Sequence, residues 1–334
     1  KLYNWLGLMN MNDELPIKNI FKAYDIRGIV GSELTSPTVK KIGQAIGTMA
    51  LSQMQKTICV GYDGRLSSPS LSTTLIDGLL STGINVIDIG LCTTPMLYFS
   101  NFYQETGTGV MITGSHNPPE YNGFKMVING KTLTSDDIQN LYQIILDSNY
   151  LNGEGDKKLV SIKSQYLHEI SNSIELKRPM KVAIDCGNGA AGVCAEELFK
   201  KLGVETEPLF CDVDGNFPNH HPDPSNPKNL LDLKNKLKNG DSELGLAFDG
   251  DADRLGVVTK DGEIIFPDRQ LLLFSEAVLK ECPKSSIIFD VKSTRHLFSW
   301  IKEKGGIPVI WKTGHSFIKQ KMKELNASLA GEMS

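Results

Sequence analysis

Residues 244–254 read Leu-Gly-Leu-Ala-Phe-Asp-Gly-Asp-Ala-Asp-Arg, an apolar run that ends in three acidic residues at alternate positions. The first five residues predict a buried β-strand. The same pattern of a strand followed by aspartate recurs at 182–185 (Val-Ala-Ile-Asp) and at 287–290 (Ile-Ile-Phe-Asp). In α/β proteins the functional groups gather at the carboxyl ends of strands. The three stretches therefore predict repeated α/β units with polar groups at one edge of each sheet.

Other short apolar runs alternate with helical patterns along the chain, which supports this fold class. Strands are predicted at 57–60, 86–89, 110–113, 181–185, 244–248 and 287–290, and helices at 71–80, 195–202, 270–280 and 294–304. Strands that alternate with helices favour parallel pairing within α/β units. Residues 61–64, Gly-Tyr-Asp-Gly, are predicted to form a turn after the first of these strands, and Arg27 is placed in another turn.

The chain has 334 residues, enough for two or three domains. Polar stretches at 148–158 and 261–262 are candidate boundaries. We predict a first domain over 16–160, a second over 161–263 and a third over 264–334, with residues 1–15 as a leader or appended segment.

Composition excludes several classes of protein. Lys and Arg number 35 against 39 Asp and Glu, a net charge of −4, which disfavours binding to nucleic acid. The longest apolar runs, such as 271–274, fall far short of the roughly 18 residues that a membrane helix needs. Six scattered cysteines without a Cys-x-x-Cys pair suit a reducing compartment. We therefore predict a cytoplasmic protein without nucleic-acid or membrane partners.

The acidic loop after residue 248 is the strongest chemical signal. Asp249, Asp251 and Asp253 would project to one side of an extended chain. Crowded carboxylates repel one another unless a cation lies between them, and oxygen ligands favour Mg²⁺ or Ca²⁺. An EF-hand is excluded, because Arg254 and Lys260 stand where such a loop needs Gly and Glu. The loop predicts a Mg²⁺ site rather than a solvated acidic turn.

A second polar loop, Thr-Gly-Ser-His-Asn-Pro-Pro at 113–119, follows a predicted strand. It places the hydroxyl of Ser115 beside the imidazole of His116. Lys125, ten residues later, could place its positive charge near the same hydroxyl. A hydroxyl nucleophile needs such a neighbouring base or charge. The residue types are also common in ordinary turns, and the loop alone favours a turn.

Residues 187–192, Gly-Asn-Gly-Ala-Ala-Gly, match the G-x-G-x-x-G pattern of dinucleotide-binding proteins. The stretch follows a predicted strand and precedes a predicted helix, and Glu205 and Glu207 lie near the position of a ribose-binding acid. Gly-rich turns also join strands to helices without binding any ligand. Before the other motifs are considered, an NAD-binding oxidoreductase and a structural turn are equally favoured.

Five segments together resemble the α-D-phosphohexomutase superfamily, most closely its bacterial phosphomannomutase/phosphoglucomutase branch. They occur in the family's order and cover nearly the whole chain: residues 21–28, 113–125, 249–256, 312–315 and 332–334. The resemblance implies successive α/β domains with mixed sheets sandwiched by helices around a central active-site cleft. It also implies a fourth, phosphate-binding domain, which we expect to be absent from this chain.

The resemblance assigns roles to particular residues. Ser115 would carry a phosphoryl group and, with Asp249, Asp251 and Asp253, would bind Mg²⁺. Arg254 would contact the serine phosphate. The remaining implied residues are His116 and Lys125 beside the serine, Arg27 and Tyr24 facing the sugar, and Lys292, His315, Glu332 and Ser334 as sugar contacts from the third domain.

The implied activity is the reversible interconversion of hexose 1-phosphate and hexose 6-phosphate. Mannose and glucose phosphates are the expected substrates, and a hexose 1,6-bisphosphate is the expected intermediate. Mg²⁺ is the expected cofactor, glucose 1,6-bisphosphate the expected activator, and a monomer the expected state. Three alternatives stay open: a phosphoglucosamine mutase, the NAD-binding oxidoreductase, and a sugar-phosphate-binding fragment without turnover.

Overall fold

The computed structural model describes residues 15–333, which form three sheets flanked by helices. The predicted leader and Ser334 lie outside these residues, apart from Leu15. Each sheet is built from one continuous stretch of the chain, so the three units follow one another in sequence.

In the described part of the chain, the first sheet has seven strands in the order β1-β5-β4-β2-β3-β7, with β6 paired to β5. The strands are β1 (Ile26–Ile29), β2 (Thr57–Tyr62), β3 (Asn85–Leu91), β4 (Gly109–Ile112), β5 (Tyr121–Ile128), β6 (Lys131–Thr132) and β7 (Lys157–Leu159). The helices are α1 (Ser36–Ser52), α2 (Ser68–Leu80), α3 (Thr94–Tyr103) and α4 (Ser135–Leu146). Thr35 and Thr93 cap α1 and α3, and a proline follows each cap.

The second sheet has the order β12-β11-β10-β8-β9. Its strands are β8 (Lys181–Asp185), β9 (Glu205–Leu209), β10 (Leu244–Phe248), β11 (Leu255–Thr259) and β12 (Ile264–Ile265), and its helices are α5 (Lys163–Ser173), α6 (Ala195–Lys201) and α7 (Leu231–Asn239). The third sheet, in the order β14-β13-β15, is parallel throughout. It comprises β13 (Ser286–Asp290), β14 (Ile307–Trp311) and β15 (Leu329–Gly331), with α8 (Pro267–Glu281), α9 (His296–Glu303) and α10 (His315–Leu325).

The mixed sheets implied by the resemblance are confirmed, whereas purely parallel pairing is wrong for several strands. β10 and β11 pair antiparallel because residues 249–254 between them are too few for a crossover. β1 and β4 pair antiparallel with β5. The loop between β10 and β11 contacts Ser115 and Lys125 of the first unit.

Two local predictions are also wrong. Gly61 and Tyr62 belong to β2 rather than to a turn, because they pair with Met111 and Ile112 of β4. Arg27 lies in β1, opposite Gly123, rather than in a turn. The domain boundaries stay predictions. β12 follows the boundary predicted at 263 but pairs with β11 of the second sheet.

Candidate active site

The three units meet at a cavity of about 140 Å³ that contains Ser115. Its lining residues are Tyr24, Asp25, Arg27, Ser115, His116, Lys125, Asp253, Arg254, Thr313, Gly314, His315 and Glu332. A larger cavity of about 480 Å³ adjoins it between the second and third sheets and shares four of these residues. The fold therefore brings most of the residues predicted from the sequence to one place.

Ser115 follows β4 and adopts the left-handed conformation, with φ +51°. Its amide donates to Thr113 Oγ1 at 2.7 Å. Its Oγ donates to Asp249 Oδ2 at 3.0 Å and lies 3.2 Å from His116 Nδ1. The hydroxyl therefore lies between a carboxylate and an imidazole, the surroundings that the sequence predicted for a nucleophile.

The acidic loop reaches its geometry by a turn, and the predicted extended conformation is wrong. Ala252 has φ +59°, and its amide donates to the carbonyl of Asp249. The amides of Asp253 and Arg254 donate to Asp249 Oδ1 at 3.0 and 3.1 Å. The turn still gathers the three carboxylates, because one oxygen from each lies within 4.8 Å of the others.

Lys125, on β5, contacts this carboxylate cluster from the first sheet. Its Nζ lies 2.6 Å from both Asp251 Oδ2 and Asp253 Oδ2. Burial alone would lower the pKa of Lys125, but the two carboxylates raise it well above its usual value. Burial likewise opposes ionisation of Asp251, yet Lys125 holds the pKa of Asp251 below its ordinary value. Lys125 is therefore an ammonium ion that bridges two carboxylates.

The carboxylate cluster fits a divalent metal ion. Asp251 Oδ1 is buried and has no hydrogen-bond partner, and Asp249 and Asp251 are fully buried. Burial, together with Asp251 and Asp253, raises the pKa of Asp249 well above its ordinary value. A metal cation bound between the three carboxylates would stabilise the ionised form of Asp249. An all-oxygen donor set suits Mg²⁺.

Two histidines of the cavity are uncharged at neutral pH. Burial, reinforced by Arg254 and Arg27, lowers the pKa of His116 to about 4. Burial, reinforced by Lys319 and Lys125, lowers the pKa of His315 to about 3. Each imidazole can therefore accept a proton.

Tyr24, Arg27 and Glu332 also line the cavity. The ring of Tyr24 contacts the ring of His315 edge-on at 5.4 Å. Arg27 pairs with Asp25 at 2.6 Å, and Glu332 accepts from the Gly314 amide at 2.6 Å.

Lys292 is placed differently from these residues. It is not among the described residues that line the cavity, and its Nζ lies 3.9 Å from Asp290. Burial raises the pKa of Glu332, and the Gly314 amide, Arg254 and Lys292 oppose that shift.

The Gly187–192 turn packs against the acidic loop. A Cβ at Gly189 would lie 2.9 Å from the carbonyl oxygen of Gly250, and one at Gly192 would lie 1.9 Å from that of Cys211. The Ala190 amide donates to the Gly250 carbonyl at 2.9 Å. Protein atoms therefore surround two of its glycines, and the turn supports the acidic loop.

Sequence reasoning missed Arg65, which lies under the serine loop. Its guanidinium donates to the backbone carbonyls of residues 115, 117, 118 and 121. It also missed Thr94 at the start of α3, whose hydroxyl and amide both donate to Asp251. Arg65 could have been found from its position, because it lies in the short loop between β2 and α2, two residues after Asp63. Thr94 had no such signal, because it lies far from Asp251 in sequence.

Comparisons with known proteins agree with this architecture. Family models for the alpha/beta/alpha domains I, II and III of phosphoglucomutase/phosphomannomutase match residues 18–151, 164–262 and 266–334. The chain is 56% identical over 319 residues to a phosphoglucomutase of Neisseria meningitidis, covering 95% of the chain and 69% of that protein. It is 53% identical over 316 residues to a phosphomannomutase/phosphoglucomutase of Pseudomonas aeruginosa, covering 95% and 68%.

Solved structures give the same result. A phosphoglucomutase/phosphomannomutase family protein from Burkholderia thailandensis superposes with a TM-score of 0.93 at 50% identity, covering 96% of this chain and 71% of that one. The chain therefore belongs to the α-D-phosphohexomutase superfamily, in its phosphoglucomutase/phosphomannomutase family, a family of isomerases. Among residues 15–333, no helix combines the length and apolar character needed to cross a membrane.

Proposed function

We propose that this chain is a phosphomannomutase/phosphoglucomutase that interconverts hexose 1-phosphates and hexose 6-phosphates through a phosphoryl group carried on Ser115. The observation that carries the proposal is the position of Ser115 Oγ, 3.0 Å from Asp249 and 3.2 Å from His116 within the shared cavity. The names of the most similar relatives support mannose and glucose phosphates as substrates.

Proton transfer at the serine is the proposed role of His116. When Ser115 Oγ attacks a phosphoryl group, its proton must leave. In the tautomer with Nδ1 unprotonated, the neutral imidazole of His116 lies 3.2 Å from Oγ and can accept the proton once the hydroxyl turns from Asp249 toward Nδ1. In the reverse direction, the P–O bond to Ser115 breaks and His116 returns the proton to Oγ. His315 is also neutral and lines the same cavity, and we assign it the proton of the sugar hydroxyl.

Charge stabilisation is the proposed role of the cations around the serine. Phosphoryl transfer depends mainly on positioning and on neutralising the phosphate oxygens. Arg27, Lys125 and Arg254 line the cavity and supply positive charge from the first and second units. When bound, Mg²⁺ would add a Lewis acid, held by Ser115 with Asp249, Asp251 and Asp253.

Recognition of the sugar is assigned to residues that the first and third units contribute to the cavity. Tyr24 and Glu332 line it, and Lys292 lies near Glu332. Ser334 follows two residues after Glu332 and is proposed as a further sugar contact. Glucose 1,6-bisphosphate as activator, a monomeric state and a cytoplasmic location complete the proposal.

The test is to load and unload Ser115. The purified chain is incubated with glucose 1,6-bisphosphate and Mg²⁺, and the peptide that carries Ser115 is weighed by mass spectrometry. We expect one phosphate on Ser115. Mannose 1-phosphate or glucose 1-phosphate should accept it to form hexose 1,6-bisphosphate, and transfer of the 1-phosphate back to Ser115 should release hexose 6-phosphate, both followed by ³¹P NMR. Ser115→Ala is the control and should take up no phosphate.

The outcomes separate the alternatives. Failure to label wild-type Ser115, or equal labelling of Ser115→Ala, would refute the assignment of the carrier. Loading without hexose 6-phosphate would favour the binding-fragment alternative. Faster turnover of glucosamine 1-phosphate would favour a phosphoglucosamine mutase, and saturable micromolar binding of NADH would favour the oxidoreductase.

A further inference from the structure

Arg65 is buried directly beneath the serine loop. Its side chain is 1% exposed, and it lies between β2 and α2. One terminal nitrogen donates to the carbonyls of Pro118 and Tyr121 at 2.6 and 2.9 Å. The other donates to the carbonyls of Ser115 and Asn117 at 2.8 and 2.6 Å. A single guanidinium therefore holds four backbone carbonyls of one seven-residue segment.

The charge of Arg65 is balanced inside the same unit. Its Nε lies 3.3 Å from Asp63 Oδ2, and the same oxygen accepts from the Gly114 amide at 3.3 Å. Asp63 Oδ1 accepts from Ser68 Oγ at 2.6 Å. A buried ion pair is tolerated only when its remaining donors and acceptors are satisfied. Here the serine loop accepts from both terminal nitrogens of Arg65 and donates to Asp63 Oδ2, and Ser68 donates to Asp63 Oδ1, whereas Arg65 Nε has the ion pair but no hydrogen bond among the described residues. The Arg65–Asp63 ion pair is therefore hydrogen-bonded to the serine loop.

Steric contacts fix the loop against this pair. A Cβ at Gly114 would lie 2.4 Å from Arg65 Cζ, so the guanidinium occupies the space that a side chain would need. A Cβ at Gly250 would lie 2.4 Å from the carbonyl oxygen of Ser115. The Ser115 carbonyl is therefore held by Arg65 and closely packed against the acidic loop.

We propose that Arg65 is a positioning residue for phosphoryl transfer, which holds Ser115 in its left-handed conformation and keeps Oγ directed at Asp249. Ser115 has φ +51°, a backbone conformation that is unfavourable for residues other than glycine. Arg65 is not among the described residues that line the cavity, so it acts through the loop rather than on the substrate. The inference rests on the proposed role of Ser115.

The main test is Arg65→Lys, which keeps the charge but replaces a planar fork by one nitrogen with three donors. Two properties are measured on the full chain. The first is the rate of Ser115 phosphorylation at varied glucose 1,6-bisphosphate with Mg²⁺. The second is hydrogen–deuterium exchange of the peptide spanning 113–121. Arg178→Lys is the matched control, since Arg178 also pairs with a carboxylate, Glu243, but on the surface.

We expect Arg65→Lys to melt cooperatively while its maximal loading rate falls at least about tenfold, because small misplacement of a reacting group is costly. The half-saturating bisphosphate concentration should stay within about twofold, a split that general destabilisation of the site would not produce. Exchange over 113–121 should quicken about tenfold or more. Arg178→Lys should change neither property.

A second variant keeps the test decisive if Arg65→Lys does not fold. Gly114→Ala retains Arg65 but pushes its guanidinium away from the loop, and we expect the same two changes. If the variant that folds phosphorylates Ser115 at the wild-type rate and shows wild-type exchange over 113–121, the inference is overturned. If wild-type Ser115 cannot be loaded at all, the proposed function fails, while the exchange of 113–121 still decides whether Arg65 orders the loop.

Discussion

Asp185 and Asp249 lie at the ends of neighbouring parallel strands of one sheet, and both accept hydrogen bonds from the protein, yet the charges around them differ. Both are fully buried. Asp185 accepts from the Gly187 amide at 2.9 Å and contacts His220 Nε2 at 3.0 Å, so protein donors satisfy it. Asp249 shares its loop with two more carboxylates, one of which has an oxygen without a partner.

Asp290 repeats the first pattern in the third sheet. It accepts from Ser293 Oγ at 2.6 Å, Thr313 Oγ1 at 2.9 Å and the Met333 amide at 3.2 Å. A buried aspartate at a strand end is therefore a structural anchor when local donors match its oxygens. It becomes a candidate cation site when the clustered carboxylates outnumber the positive charges beside them, as three do here against Lys125 and Arg254.

Of these substitutions, Asp249→Asn should change the stability most. The sign of its effect relative to the wild type should depend on whether Mg²⁺ is present. The replacement keeps the shape and removes one crowded charge. Without metal, stability should equal or exceed that of the wild type, because the raised pKa of Asp249 means that folding opposes its charge. With Mg²⁺ at about 100 times Kd, the wild type should gain about 2.7 kcal/mol and the variant almost nothing. Thermal melts with EDTA and with Mg²⁺ measure both; equal gains in the two proteins would contradict the metal assignment.

Asp185→Asn should behave in the opposite way. It breaks the pair with His220, so the free energy of unfolding should fall by about 1–3 kcal/mol with or without metal. Mg²⁺ affinity, measured by calorimetry, should stay within about twofold of the wild type. Urea denaturation measures the stability. A lost metal affinity with unchanged stability would mean that the two aspartates have been assigned the wrong way round.

Histidine titration should separate the two regions. NMR of the imidazole protons should give His116 and His315 midpoints near pH 4 and 3, and His220, beside Asp185, a raised pKa. Between these values and pH 6.5, the unfolded chain binds protons that folded His116 and His315 exclude. These two residues therefore make stability fall as the pH drops below about 6.5, and His220 opposes the fall. A midpoint for His220 below that of His116 would contradict the assigned environments.

Glu243→Gln should give the smallest effect. Glu243 immediately precedes the strand that Asp249 follows, but its pair with Arg178 is exposed. Exposed pairs contribute little, so the melting temperature should shift by less than about 1 °C and Mg²⁺ affinity should not change. A larger shift would show that a carboxylate near this strand matters regardless of burial.

The sequence predicted well which segments form strands, because an apolar run bounded by polar residues is a local feature. The strands ending at Asp185 and Asp249 were predicted with their observed bounds. The resemblance supplied residues that local patterns leave unmarked, such as His315 and Glu332, and the structure brings both to the cavity beside Ser115.

Contacts between distant segments could not be predicted from the sequence. Thr94 and Asp251 are 157 residues apart, and nothing near Thr94 indicates a carboxylate partner. The turn within 249–254 was missed because alternation predicts an extended chain, whereas hydrogen bonds to Asp249 Oδ1 fold it back. Lys292 was placed in the site by resemblance alone, and the described cavity does not include it.

The contacts at Gly189 and Gly250 also limit which residues can replace these glycines during evolution. The backbone of each glycine approaches another loop closely, the first against Gly250 and the second against Ser115. A saturation library should therefore retain glycine at both positions even under selection for folding alone. A glycine signature of this kind can persist in a lineage through crowding between loops, without any nucleotide to bind.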